Sequence, residues 1–392
     1  MKRIAIVAAR RTPQGRFLGG LAKCSALELA TSVGQAILKD LGKAGDYVGL
    51  IDQVIMGNVL SAGLGMNLAR QTAIHLKLPI SSDAFTVNMM CASGLKAIML
   101  GCDAVLSGQA RMVLCGGTES MSQAPYLLQR ARTGLKLGDA SLVDSILRDG
   151  LVDAFDHKHM GLSAERLARD YEISRMEQDA FACESQNRYA AALAQEAFSK
   201  ELVPIAGMTA DEHPRPDTTP ESLGKLAPAF DPAGTITAGN ASGLNDGAAL
   251  VLLCEESFAC KQGLNILALV ENYTTAGCDP ARMGLGPVHA TEKLLKMLNR
   301  KLDQFDTVEL NEAFAAQALA CLREMPVASD KLNPDGGAIA IGHPIGATGA
   351  RLVVHLANRI AQGRSQTGLA TLCVGGGMGA AFSLISAHNY SS

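Results

Sequence analysis

Three stretches of this chain occur twice, in one order and at nearly one spacing. The helical stretch Gly94 to Gly108 covers the same fourteen steps as Gly349 to Gly363, an offset of 255. Upstream, Ile51 to Met56 resembles Phe305 to Leu310 at an offset of 254. Downstream, Met112 to Gly117 resembles Ala370 to Cys373 followed by Val374 and the glycines from Gly375. One such match is chance, but three in order imply duplication of one structural unit, and a duplicated unit can bury its faces against its own copy.

The unit reads as α/β. Short apolar runs at Ile4 to Ala8, Val54 to Met56, Met112 to Cys115, Ala249 to Leu253, Ile266 to Val270, Leu369 to Cys373 and Ala381 to Ile385 alternate with stretches of helical period. Strands separated by helices predict layered α/β architecture. Leu95, Ile98, Met99, Cys102, Val105 and Leu106 form one helical face, Val353, Leu356, Ala357 and Ile360 form its copy, and Gly108 and Gly363 end the two helices. From Ser120 to Gly243 the character changes to charged helical stretches, Ala164 to Tyr171 and Arg175 to Ala194, followed by the polar run Asp211 to Ser222. A length of 392 residues accommodates two or three domains. The expected organisation is a first half at 1–119 and 244–264, an inserted loop domain at 120–243 and a second half at 265–392. An excursion of that size off a compact scaffold is a usual place for substrate-binding loops.

Composition excludes several functions. A net charge of −3, from 35 basic and 38 acidic side chains without a basic block, argues against nucleic-acid or anionic-membrane partners. No apolar run reaches the ~18 residues of a membrane span. The six apolar residues between Arg3 and Arg10 are too few for a signal peptide and predict a first strand running from the sheet edge into the core. The ten cysteines are dispersed, with no CxxC pair and no zinc-ligand spacing, which predicts reduced thiols, no metal and a cytoplasmic location. Aromatics at 4% offer no base-stacking platform. No P-loop occurs, and Gly375, Gly377 and Gly379 lack the helix and downstream acid of a dinucleotide fingerprint. The terminal Asn389, Tyr390, Ser391 and Ser392 are not a peroxisomal address.

Four segments could carry chemistry. Cys91 stands just before the first repeated helix among small residues, where the helix terminus would lower its pKa and make it a nucleophile; a buried, inert cysteine at a strand-to-helix turn reads equally well. Asn311 and Glu312 follow a strand and offer an amide and a carboxylate, or a plain helix cap. His343, walled by Gly342 and Pro344 at the start of the second repeated helix, has the fixed backbone of a presented general base, although a Gly-His-Pro turn is often only a turn. Cys373 ends a strand before glycine N–H groups able to cradle an oxyanion.

In this order and at these spacings the four segments resemble the thiolase family over essentially the whole chain. The resemblance implies a thiolase-like duplicated αβαβα fold and reversible Claisen chemistry on coenzyme A thioesters, which are substrates, so that no cofactor is required. It makes Cys91 the residue that accepts the acyl group, His343 its proton acceptor and Cys373 the acid/base at the α-carbon. Asn311, ordering a water, would join His343 in one oxyanion hole, and the N–H groups of Cys91 and Gly375 would form the other. Leu151, His159, Met160, Arg215, Ser222, Phe230, Ala238, Ser242 and Ala313 match positions along the coenzyme A path. Ala227 stands where relatives often carry a basic residue. On chemistry alone Arg215 could meet a phosphate or be a solvated loop arginine, and Ser242 could bond a pantetheine amide or serve a turn.

His159-Met160-Gly161 is similar to the short-chain members, which points to acetyl-CoA C-acetyltransferase activity with acetyl-CoA, acetoacetyl-CoA and CoA as ligands; the alternative is a broader-range 3-ketoacyl-CoA thiolase. A decarboxylating condensing enzyme would not need Cys373, and a non-catalytic acyl-CoA carrier could have lost the reactive groups that are intact here. The resemblance also implies a homo-oligomer, and the apolar, basic segment Ala124 to Leu137 is the expected assembly arm of a tetramer.

Overall fold

The computed structural model describes residues 2–41 and 47–387; Asn389 to Ser392 lie outside them. The strands are β1 (Ile4–Arg11), β2 (Gly15–Arg16), β3 (Ile51–Gly57), β4 (Asp83–Val87), β5 (Met112–Ser120), β6 (Tyr126–Leu128), β7 (Leu142–Asp144), β8 (Asn245–Glu255), β9 (Ala268–Gly277), β10 (Thr307–Leu310), β11 (Thr367–Val374) and β12 (Met378–Ile385). One ladder runs β10-β11-β12-β9-β1-β8-β5-β3-β4, with β2 on β8, and β6 pairs with β7 apart from it. The first strand is therefore central rather than a strand entering from the edge. Ile4, Ala5 and Ile6 pair with β8 on one side and with β9 on the other. A short, almost wholly apolar strand is what a position enclosed on both faces selects.

The duplication is visible strand by strand. β3 runs parallel to β5, which is antiparallel to β8, which is antiparallel to β1; β10, β11, β12 and β9 repeat that sequence of pairings. The ladder also corrects the third sequence match. Val54 faces Leu114 and Val308 faces Leu369, so Leu114 corresponds to Leu369 at an offset of 255. The similarity of Met112–Gly117 to the segment from Ala370 is thus slid by three residues: Cys115 corresponds to Ala370, and Cys373 to Thr118. Runs of small residues at the strand ends align with each other more readily than do the interchangeable aliphatics of the ladder itself.

The helices complete five layers. α1 (Ala26–Asp40) and α2 (Leu68–His75) cover the outer face of the first half, where Leu29, Val33 and Ile37 pack with Val54, Leu114 and Leu250. α3 (Ser93–Leu106) is the middle layer, and α4 (Met160–Asp170), α5 (Arg175–Ala194) and α6 (Pro220–Gly224) belong to the insertion. α7 (Glu256–Gln262) leads from β8 towards β9, and α8 (Gly286–Leu298) covers the second half's outer face with Ala290 and Leu294. α9 (Ala315–Glu324) and α10 (Ala338–Ile341) carry the insertion, and α11 (Ile345–Ala361) joins α3 in the middle layer. α3 and α11 end alike: Gly108 N–H donates to Val105 and Gly363 N–H to Ile360, each glycine at a positive φ, 76° and 72°.

The insertion has a definite counterpart. In the second half β11 returns directly as β12 through Gly375, Gly376 and Gly377, with Val374 opposite Met378. In the first half Ser120 is opposite Asp246, and all of the chain between them takes the place of that short turn. A buried ionic chain ties this excursion down. Arg11 on β1 bonds Glu201 at 2.7 Å and Asp211 at 2.6 Å, and Glu201 reaches His355 on α11 at 3.0 Å. Burial opposes a charge on His355, yet Glu201 and Asp335 carry its pKa up to about 10.

Candidate active site

The site forms where the two middle helices begin. A methyl built on Gly94 would lie 2.8 Å from the carbonyl oxygen of Gly346, and one on Gly117 only 2.0 Å from the same atom. Only glycine allows this approach, and it brings the turn before α3, carrying Cys91, to the turn before α11, carrying His343. The first turn is held in a rare conformation. Met90 has φ 47°, and the Ser93 hydroxyl donates to the Met90 carbonyl while accepting from Met89 N–H. The second is anchored by His343 N–H donating to Asn245 Oδ1 at the start of β8.

A cavity of about 380 Å³ opens over this junction, lined by Cys91, His343, Cys373 and Gly375. Leu151, His159, Met160, Arg215, Phe230, Ala238, Ser242 and Ala313 also line it. Two expected residues are not on its wall. Asn311 is fully buried at the end of β10, with both amide side-chain atoms unpartnered among the described residues. Ser222 sits in an adjoining cavity of about 270 Å³ and is engaged with Thr219 in the capping box of α6. Arg215 and Ala238 line both cavities. Glu312 turns out of the cleft: its carboxylate accepts from Ser185, Asn333 and the Ile339 N–H, clamping the glycine loop that precedes His343.

Electrostatics correct the expectation for Cys91. Burial pushes its thiol up to about 11; the N–H groups of Gly375 and of Cys91 itself pull it down, and Glu119 adds to the rise. Two N–H groups, one from its own turn and one from the glycine turn after β11, do not offset complete desolvation. Burial, then Cys91 nearby, likewise raise Cys373 far above an ordinary thiol. His343 is pushed down to about 3 by burial and then by Arg351, so its ring is neutral at working pH. Its tautomer follows from its neighbours. Thr348 Oγ1 donates to the Pro344 carbonyl and therefore accepts from Nδ1–H of His343, at 2.7 Å. The lone pair is left on Nε2, which is buried and has no hydrogen-bond partner among the described residues.

The wall beyond is shaped by His159. Its ring stacks on Phe230 with centroids 4.6 Å apart, and its Nδ1 accepts from Gly161 N–H, leaving Nε2 as the donor. Burial lowers its pKa, which also keeps it neutral. Met160 packs its methyl on Gly375, where a Cβ would lie 2.4 Å away. The Ser242 hydroxyl donates to the Ala313 carbonyl, so only its lone pairs face a ligand.

The N-terminal thiolase domain model matches residues 4–257 and the C-terminal thiolase domain model residues 264–386. The chain belongs to the thiolase family. It is 48% identical to a Pseudomonas aeruginosa protein named acetyl-CoA acetyltransferase, over 98% of this chain and 99% of that one. The crystal structure of a Bacillus anthracis acetyl-CoA acetyltransferase superposes with TM-score 0.94 at 37% identity, over 98% of this chain and 99% of that one. Human mitochondrial 3-ketoacyl-CoA thiolase superposes with TM-score 0.95 at 41% identity, with the same coverage.

Three features of this thiolase were not signalled by the sequence reading. Thr348 lies inside the quoted Gly-His-Pro segment, but only its contact with Nδ1 gives it a role. Glu119 was silent: its carboxylate accepts from Asn58, Val59 N–H, Leu60 N–H and Gly346 N–H, tying the start of α11 to β5. His213 faces both cavities from a run read only as polar loop. All ten cysteines are free thiols, no described group of side chains could hold a metal, and no helix among the described residues is long and apolar enough to cross a membrane. The assembly segment forms part of the β6–β7 hairpin, where Tyr126, Leu128, Leu135 and Leu137 are exposed.

Proposed function

We propose that this thiolase is an acetyl-CoA C-acetyltransferase, condensing two acetyl-CoA reversibly to acetoacetyl-CoA and CoA through an acetyl-Cys91 intermediate. The observation that carries this reading is the junction of Cys91, neutral His343 with its free Nε2, and Cys373 on one cavity wall. His343 Nε2 takes the Cys91 proton as the sulfur attacks the thioester carbonyl, and the oxyanion rests on the N–H groups of Cys91 and Gly375. The departing CoA thiolate takes its proton from the Cys373 thiol, which leaves a Cys373 thiolate while His343 keeps the Cys91 proton on Nε2. The second acetyl-CoA then loses an α-proton to the Cys373 thiolate, its enolate oxygen accepting from the protonated Nε2 of His343 and from a water held by Asn311; the resulting carbanion attacks the acetyl-enzyme, and the displaced Cys91 thiolate recovers its proton from His343. In thiolysis the protonated Cys373 returns that proton to carbon. Because both thiols rest protonated, charge develops only when substrate is in place.

His159 and Phe230 narrow the wall, which favours a four-carbon product. Thiolysis of acetoacetyl-CoA is expected to exceed that of a longer 3-ketoacyl-CoA at least about tenfold in kcat/KM, roughly what one pocket residue can discriminate. Equal or better turnover of the longer chain would favour the broader-range reading, which the fold similarity to human 3-ketoacyl-CoA thiolase supports.

Thr348→Val removes the acceptor that fixes the His343 tautomer. A fall of roughly 30-fold in kcat, with restoration by Thr348→Ser and little change in Tm, is expected for a positioning residue. Unchanged kcat would remove Thr348 from the mechanism.

The reading further assigns residues 1–119 with 244–264, and 265–392, to the two catalytic halves and 120–243 to coenzyme A binding, with no cofactor beyond the thioester substrates and a cytoplasmic location. Exposed Tyr126, Leu128, Leu135 and Leu137 make a homotetramer the expected assembly. Light scattering at micromolar protein should give four times the 41.0 kDa chain mass, and a dimer would overturn this.

A further inference from the structure

His213 is the side chain at the boundary between the inner cavity and the outer one, lining both together with Arg215 and Ala238. Its position is fixed by both neighbours. Asp211 is held by Arg11 and by Gln14 N–H, while Glu212 accepts from the N–H groups of Arg16 and Gly20. Two residues on, Arg215 N–H donates to Gln186. The ring itself lies against the backbone of Gly243, where a Cβ would come within 2.3 Å of its Cε1. Despite this close seat, Nδ1 is buried and has no hydrogen-bond partner among the described residues. A buried polar atom without a partner costs stability, and here it belongs to a ring that lines both cavities.

We infer that His213 is a specificity-determining residue that hydrogen-bonds the coenzyme A arm of the substrate where the arm passes from the inner to the outer cavity, so distinguishing full coenzyme A from shorter thiols. The inference rests on the acyltransferase reading above. The inner cavity holds the reacting sulfurs, and an arm attached to a thiol bound there reaches the outer cavity by passing His213 and Arg215, which line both. Burial, then the nearby Arg215, hold the imidazole pKa down to about 4, so at working pH the ring carries one N–H donor and one acceptor. A neutral ring of that kind suits the amide and hydroxyl groups of a pantetheine arm, whereas Arg215 beside it suits the phosphates beyond.

The test compares two acceptor thiols in acetoacetyl-CoA thiolysis, coenzyme A and N-acetylcysteamine, which lacks the outer part of the arm. His213→Phe keeps a ring in place and removes both nitrogens. It is expected to raise KM for coenzyme A about five- to tenfold, the worth of one net hydrogen bond, with kcat within about twofold. With N-acetylcysteamine the variant and the wild type should behave alike, and His213→Asn should recover most of the affinity for coenzyme A. An unchanged KM for coenzyme A, or an equal loss with both thiols, would overturn the inference; the second outcome would mean that the ring only shapes the inner cavity. A fall in acetyl labelling of Cys91 by His213→Phe without recovery in His213→Asn would overturn it as well. Absence of thiolysis in the wild type itself would instead defeat the acyltransferase reading.

Discussion

Cys91→Ala is expected to carry no covalent acetyl group after incubation with labelled acetyl-CoA, and its thiolysis of acetoacetyl-CoA should fall by about 10⁴-fold or more. The size of the effect follows from geometry. Cys373 shares the cavity, but the Gly375 N–H is directed to the Cys91 sulfur, so an acyl group attacked by Cys373 would lack that stabilisation. No other thiol lines the cavity: Cys102, Cys115, Cys254 and Cys321 are buried away from it. The fold should survive, because the substitution removes one sulfur from a turn held by the Ser93 hydroxyl. Acetyl labelling of Cys91→Ala at the wild-type level would refute the assignment of the nucleophile.

Cys373→Ala separates the two half-reactions. It should still form the acetyl-enzyme, because Cys91, His343 and the Gly375 N–H are untouched. Overall condensation and thiolysis should drop about 10³-fold or more, since no other group is placed to move a proton at carbon. Exchange of the α-hydrogens of bound acetyl-CoA with deuterated water, followed by mass spectrometry, reports this step directly and should be lost. The two variants together are diagnostic, because a merely structural role for Cys373 would depress labelling and exchange alike. A Cys373→Ala enzyme with full turnover would remove this residue from the chemistry.

Much of the architecture was legible because duplication leaves its mark in the sequence. α5 follows the helical stretch Arg175 to Ala194 read from its charged periodicity, and both middle helices stop at the glycines that end their sequence patterns. The third repeat match slipped because small residues near Cys115 and Cys373 look alike, while the register is decided by ladder partners that no local similarity reveals. β4 escaped because an edge strand with exposed Asp83 and Phe85 lacks the apolar run by which the others were found. At the site, motifs located Cys91, His343, Cys373 and Gly375, but the state of each depends on burial. The rise of the Cys91 pKa and the neutrality of His343 come from desolvation by parts of the chain distant in sequence. His213 had no sequence signal because its meaning lies in where two cavities meet.

The position of the insertion has a consequence for how the chain is made. β8 pairs with β1 and with β5, and it follows the whole insertion, so the first half's sheet cannot close until synthesis has passed Glu255. Even then Gly94 of α3 and Gly117 of β5 lack the Gly346 backbone on which they pack, because Gly346 belongs to a helix made later still. Pairings so distant along the chain close slowly and leave apolar faces open in the meantime. A chain cut between the halves should therefore yield neither half as a folded unit, and the nucleophile's turn should become ordered only when the two halves close together, late in folding.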